Sequence, residues 1–131
     1  MKKIFTFVLL SIFAMININA TETTLWEGDV NIIWGDSNVK LEPAQFANVP
    51  VDASITMYFQ IVDMPDNYHC LRVTTPWWEG APDFVPQVDG LTQEQSPYTF
   101  TFKASDKSNV ETTGAMLFVG YGYKLTKVSY K

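Results

Sequence analysis

The residues whose type and spacing stand out are aromatic. Trp26, Trp34, Trp77 and Trp78 are four tryptophans in a chain of 131 residues; Trp34 sits beside a glycine, and the Trp77-Trp78 pair lies between Pro76 and Glu79-Gly80. A hydrophobic core by itself does not require that placement. In Thr75-Pro76-Trp77-Trp78-Glu79-Gly80 the proline pushes Thr75 into an extended conformation. If the chain stays extended, consecutive side chains point to opposite faces, so one indole of the pair is expected in the core and the other in water. Trp26 falls in an N-terminal strand whose burial ties that end down, and it is expected to pack. Ile32-Ile33-Trp34-Gly35 is apolar throughout, so alternation assigns Trp34 no face.

An exposed indole suits a pyranose ring. The axial C–H groups of the sugar form an apolar face, and its hydroxyls radiate around the rim. Indole covers the face without leaving a hydrogen bond unmade, while flanking polar side chains meet the rim hydroxyls and set orientation. Trp34, Trp77 and Trp78 are the stacking candidates, and Tyr58, Gln60, Tyr68, Arg72 and Glu79 are the polar ones. Each polar candidate also reads as an ordinary strand or surface residue. Tyr121 and Tyr123 flank Gly122 in what is expected to be a tight turn, and they read first as packing residues.

Catalytic constellations are sparse. His69 is the sole histidine and Cys70 the sole cysteine; as strand neighbours they point apart, and no Gly-x-Ser-x-Gly elbow is present. Cys70 is expected to behave as a small buried apolar residue. One His and one Cys cannot supply the three or four N/S ligands of a zinc site. Paired carboxylates would suffice for glycoside hydrolysis, yet Glu27, Asp29, Asp36, Glu42, Asp52, Asp63, Asp66, Asp83 and Asp89 fall mostly at strand ends and turns, where Asp caps backbone. A structural Ca²⁺ would need oxygen ligands, and no D-x-D-x-D-G loop is present. The expectation is a protein without catalysis or cofactor.

Met1-Lys2-Lys3, the apolar run Ile4 to Ile16 and Asn17-Ile18-Asn19-Ala20 have the form of a secretory signal cleaved after Ala20. The run is too short to span a bilayer, which takes about 20 apolar residues, and no cysteine stands beside the cleavage site to carry a lipid. An exported protein follows, located in the periplasm, at the cell surface or outside the cell. Losing residues 1–20 removes two lysines and no acid, taking the formal charge from −5 to −7. An acidic surface disfavours nucleic acid and anionic membrane as partners. A single cysteine excludes an internal disulfide, so residues 21–131 are expected to form one domain held by ordinary burial.

Downstream of the signal the apolar residues recur with period two in short runs bounded by Gly, Pro, Asn and Asp. In Ile55-Thr56-Met57-Tyr58-Phe59-Gln60-Ile61 the odd positions are apolar. Eight strands are predicted, over 24–30, 38–41, 55–62, 68–74, 83–88, 98–103, 115–121 and 123–130. Segments 91–96 and 107–112 could hold a helical turn but lack the periodicity of a stable helix. Evenly spaced short strands predict an all-β fold, an antiparallel two-sheet β-sandwich of jelly-roll or related Greek-key topology. The sequence ends directly after the last predicted strand, so no appended enzyme domain is expected.

The order Leu25-Trp26-Glu27-Gly28, Trp34-Gly35, Val51 to Tyr58, Leu71-Arg72-Val73, Trp77-Trp78, Gly120-Tyr121-Gly122 and Leu125 to Val128 resembles the small β-sandwich carbohydrate-binding modules of exported glycan-degrading systems. That resemblance implies a galactose-binding-like or jelly-roll fold and non-catalytic binding of a polysaccharide or oligosaccharide, such as a β-glucan, through Trp34, Trp77 and Trp78. The alternative from a different class is a protein-interaction or surface-assembly subunit with an envelope protein as partner, because exposed aromatics also anchor protein interfaces.

Overall fold

The alternation of Ile55, Met57 and Phe59 does form a strand, with these three side chains buried. The computed structural model describes residues 21–131, and the expected signal segment lies outside the described residues. The elements are β1 (Thr23–Ile33), β2 (Val39–Leu41), β3 (Ser54–Ile61), β4 (Cys70–Thr74), β5 (Val85–Asp89), β6 (Tyr98–Thr101), α1 (Ala104–Thr113) and β7 (Met116–Tyr130). Short 3₁₀ turns occupy Pro43–Phe46, Trp78–Gly80 and Gln93–Gln95.

The strands at 115–121 and 123–130, expected as two joined by a turn, are one strand of 15 residues. Gly120 and Gly122 take φ of 133° and 80°, conformations open to glycine, so β7 kinks without ending. Before the kink Met116 and Phe118 point into the core, and after it Tyr123 and Leu125 do. The kink therefore shifts the inward set from even to odd positions. It also brings β7 close to the chain entering β4. A Cβ on Gly122 would lie 2.6 Å from His69 Cδ2 and 2.7 Å from the Tyr68 carbonyl oxygen, and one on Gly120 would run into the Cys70 carbonyl.

The strands form one seven-stranded antiparallel sheet, where two separate sheets were expected. The cause is the length of β7, which takes part in every part of the network. Its C-terminal half lies between β1 and β3, and its N-terminal half between β2 and β4; β6 extends the first half from β3, and β5 the second from β4. Both halves feed a single core: Val73, Phe84 and Phe118 from one, Met57, Phe59 and Leu125 from the other. Phe59 meets Tyr123 edge to face at 5.6 Å, and the buried Tyr123 hydroxyl donates to the Val119 carbonyl at 2.7 Å.

At 107–112, where the sequence allowed no more than a helical turn, the chain forms the ten-residue helix α1. Only Val110 and Asp106 are buried on it, so it has no apolar stripe to read. Local chemistry holds its ends. Asp106 accepts a hydrogen bond from the Lys103 backbone N–H at 2.9 Å, and Gly114, at φ 97°, closes the last turn by donating to the Val110 carbonyl.

Candidate functional site

Register defines the face on which the candidate residues meet. In the ladder of β4 with β7, Val73 pairs with Phe118, and both belong to the core. The alternate pairs, Thr74 with Leu117, Arg72 with Val119 and Cys70 with Tyr121, therefore project from the opposite, outer face. Asp89 joins them through its pairing with Cys70. Trp34 closes one end of this face, packing half-buried on Ala115, Leu117 and Val119 in a small apolar cluster of its own.

Arg72 stands at the middle. Its Nε lies 3.1 Å from both Asp83 carboxylate oxygens and its Nη2 2.9 Å from Oδ1, a bidentate clamp with both side chains about one-fifth exposed. The guanidinium carbon lies 5.5 Å from the centroid of the Trp78 ring. A cation fixed by a carboxylate thus braces one face of an exposed indole.

The Trp77-Trp78 pair departs from the sequence expectation, because both indoles are exposed, at 53% and 39%. The extended chain assumed for them ends at Thr75. The Thr75 hydroxyl accepts from the Trp77 N–H at 3.2 Å, the Thr75 carbonyl accepts from the Trp78 N–H at 3.0 Å, and Trp77 accepts from Gly80. Trp78 sits at φ 54°, a left-handed conformation uncommon for a bulky residue. The chain here turns instead of alternating, so neither ring is carried inward. Glu79 is exposed on the same turn.

Tyr68 occupies the other end of the face, its ring stacked on Tyr121 at 6.0 Å between centroids. Its hydroxyl donates to Asp89 Oδ1 at 2.7 Å, and the Gln87 amide donates to the Tyr68 hydroxyl at 3.1 Å and to Asp89 at 2.8 Å. These bonds, from Gln87 first and Tyr68 second, hold the Asp89 carboxyl below its ordinary pKa. The Cys70 sulfur and then Asp89 push the Tyr68 phenol well above its own. The result is a fixed set of donors and acceptors on the aromatic face at neutral pH.

Structure thus gathers Trp34, Arg72, Trp78 and Tyr68 on or around one outer face, with Trp77 on the adjoining turn. Tyr58 and Gln60 lie elsewhere, paired with Lys127 and Lys124 beyond the kink of β7. Tyr58 donates to Glu22 at 2.5 Å and lies under the Lys127 ammonium at 5.3 Å, and Glu22 raises its pKa. Among the described residues no hydrogen bond or ring contact joins either residue to the Trp78–Tyr68 surface. Trp26 packs against the core. Of the other members, sequence reading took Asp83 and Asp89 for turn caps and Tyr121 for a packing residue, and it passed over Gln87. The i, i+2 spacing of Gln87 and Asp89 was the available signal, since it puts both on one side of a strand.

Cys70 is fully buried and free. Among the described residues no group of three or more His, Cys, Asp or Glu is placed to hold a metal ion, and no helix is long and apolar enough to cross a membrane.

Among the described residues these elements define a mainly β domain, one seven-stranded antiparallel sheet with one α-helix. The same fold occurs in SGBP-B of the Bacteroides ovatus mixed-linkage glucan utilization locus, whose structure was solved in complex with a mixed-linkage heptasaccharide. The TM-score is 0.73 at 20% identity, over 84% of this chain and 30% of that one. The likeness is one of fold, and the chain spans under a third of the length of that protein. No protein-family model matches the chain, and no curated protein matches its sequence.

Proposed function

We propose that residues 21–131 form a single exported, non-catalytic carbohydrate-binding module that holds a polysaccharide of the β-glucan class on its outer face. The observation that carries this reading is the pair of exposed indoles at Trp77 and Trp78, one braced by the Arg72–Asp83 clamp, beside the hydrogen-bonded Tyr68, Gln87 and Asp89 group. Flat apolar rings offer a surface to the C–H faces of pyranoses, and the polar group meets rim hydroxyls. The fold shared with a protein solved in complex with a mixed-linkage heptasaccharide supports the choice of ligand class.

Exposed tryptophans also serve protein interfaces, but the fixed donors and acceptors beside these rings favour a ligand rich in hydroxyls. Affinity electrophoresis in gels containing mixed-linkage β-glucan, xylan or mannan tests the proposal. Retardation by β-glucan is the expected result. Migration unchanged in all three, together with stoichiometric capture of an envelope protein, would overturn it in favour of the assembly role.

A further inference from the structure

A cleft of about 410 Å³ opens between the 61–69 and 90–93 segments, at the Tyr68 end of the aromatic face. We propose that this cleft is a second subsite, which holds one neutral hexopyranose ring as the end or side branch of the glycan lying on that face. The inference rests on the carbohydrate reading above and adds to it a separate place and a charge preference.

Three observations support it. Tyr68 lines the cleft and also stacks on Tyr121, so the two surfaces share a residue and a ligand can pass from one to the other. The walls are mixed in the way a sugar requires: Ile61 and Leu91 are apolar, while Asn67, His69 and Thr92 carry polar atoms. The volume lies within the ~300–1,000 Å³ of small-molecule sites, with room for a ring rather than a chain.

His69 lines the cleft in a defined tautomer. Its Nε2 lies 2.8 Å from the Val62 carbonyl, which only accepts, so Nε2 carries the proton. In the neutral ring Nδ1 is then a bare acceptor. Gly122 allows the imidazole to sit there, since a Cβ at that position would meet His69 Cδ2.

The charge preference follows from what surrounds the cleft. No Lys or Arg lines it, while Asp66 accepts from the Tyr68 N–H at 3.2 Å and Asp89 from the Tyr68 hydroxyl. A uronic acid or sulfated sugar would lie beside the two carboxylates that bond Tyr68, with no cation lining the cleft to answer its own charge. A neutral ring carries no such penalty.

The test is an amide and indole NMR titration of the ¹⁵N-labelled protein with methyl β-D-glucopyranoside, methyl β-D-galactopyranoside and D-glucuronate. Expected are shifts at the His69, Gly90 and Thr92 amides with at least one neutral glycoside and none with glucuronate. Thr92 is exposed, and Thr92→Trp should fill the cleft, weakening the cleft response at least tenfold while β-glucan still retards the variant in gels. Shifts confined to the tryptophan indole N–H groups would overturn the subsite and leave the carbohydrate reading standing. Equal response to glucuronate would overturn the charge preference, and silence at the cleft amides with all three probes would overturn the subsite. Cleft shifts without any polysaccharide retardation would keep the subsite and sink the extended face. Should Thr92→Trp fail to fold, the wild-type titration decides alone.

Discussion

The Trp78 indole lies over the Arg72 guanidinium at 5.5 Å, and Asp83 holds that guanidinium through three N–O contacts of 2.9–3.1 Å. An exposed ring is thereby fixed from beneath by a charge that is itself fixed. Cation–π contacts of this kind contribute about 0.5–2 kcal/mol, and a ring held in place loses less freedom when a ligand stacks on it.

Trp77→Ala and Trp78→Ala should each leave the fold intact, because both indoles are exposed and contribute little to the core. Stability is expected to change by less than about 0.5 kcal/mol for Trp77→Ala, as at ordinary surface sites, and by up to about 2 kcal/mol for Trp78→Ala, which also removes the cation–π contact with Arg72. Binding of β-glucan should weaken by roughly 1–3 kcal/mol per ring, with stacking on nucleic-acid bases as the calibrated analogue. Calorimetric titration and thermal melts on both variants check this. Unfolding by either substitution would show that the pair is structural.

Asp83→Ala removes one partner of a half-buried bidentate pair and should destabilise the domain by about 1.5–3 kcal/mol. It should also weaken glycan binding, since Arg72 no longer braces Trp78. In a double-mutant cycle with Trp78→Ala the two affinity losses should be less than additive. Full additivity would separate the clamp from the ring.

Gly122→Ala should be far more damaging than an average glycine substitution. The new Cβ would meet His69 and the Tyr68 carbonyl at under 3 Å, at a backbone φ of 80°. A loss above about 3 kcal/mol in urea melts is expected, against the usual 0.5–3 for point changes. A mild effect would mean that β7 can straighten and that the kink is not required.

Burial pushes the Cys70 thiol up, with the nearby Asp89 charge adding to it. A thiol whose folded pKa exceeds its unfolded one contributes stability that is whole below about pH 8.5, the ordinary value. That stability is lost as pH rises through the folded pKa, by at most about 1.4 kcal/mol per pH unit. Urea melts from pH 6 to 10 should be flat and then fall above about pH 8.5. Cys70→Ala should flatten the fall. A decline of the same slope in the variant would assign the effect elsewhere.

Period-two patterning was enough to place β3, because alternation along one strand depends only on the chain itself. The same local logic put one ring of the Trp77-Trp78 pair in water but carried the other into the core, since it assumed an extended chain where the structure turns. It failed where partners decide. Gly122 reads as a turn, but the ladders on both sides of β7 carry the chain through it as a kink, and the inward positions change phase there. Helix α1 has no apolar periodicity to read, so its end caps had to be seen in place. The outer face required register above all. Alternation says that Arg72 and Gln60 each point away from a core. Only the pairing of Arg72 with Val119 and of Gln60 with Lys124 decides that Arg72 lies on the Trp34–Trp78–Tyr68 face and that Gln60 lies beyond the kink. Register is set by contacts between segments distant in sequence, and a single strand carries no record of which neighbour it will meet.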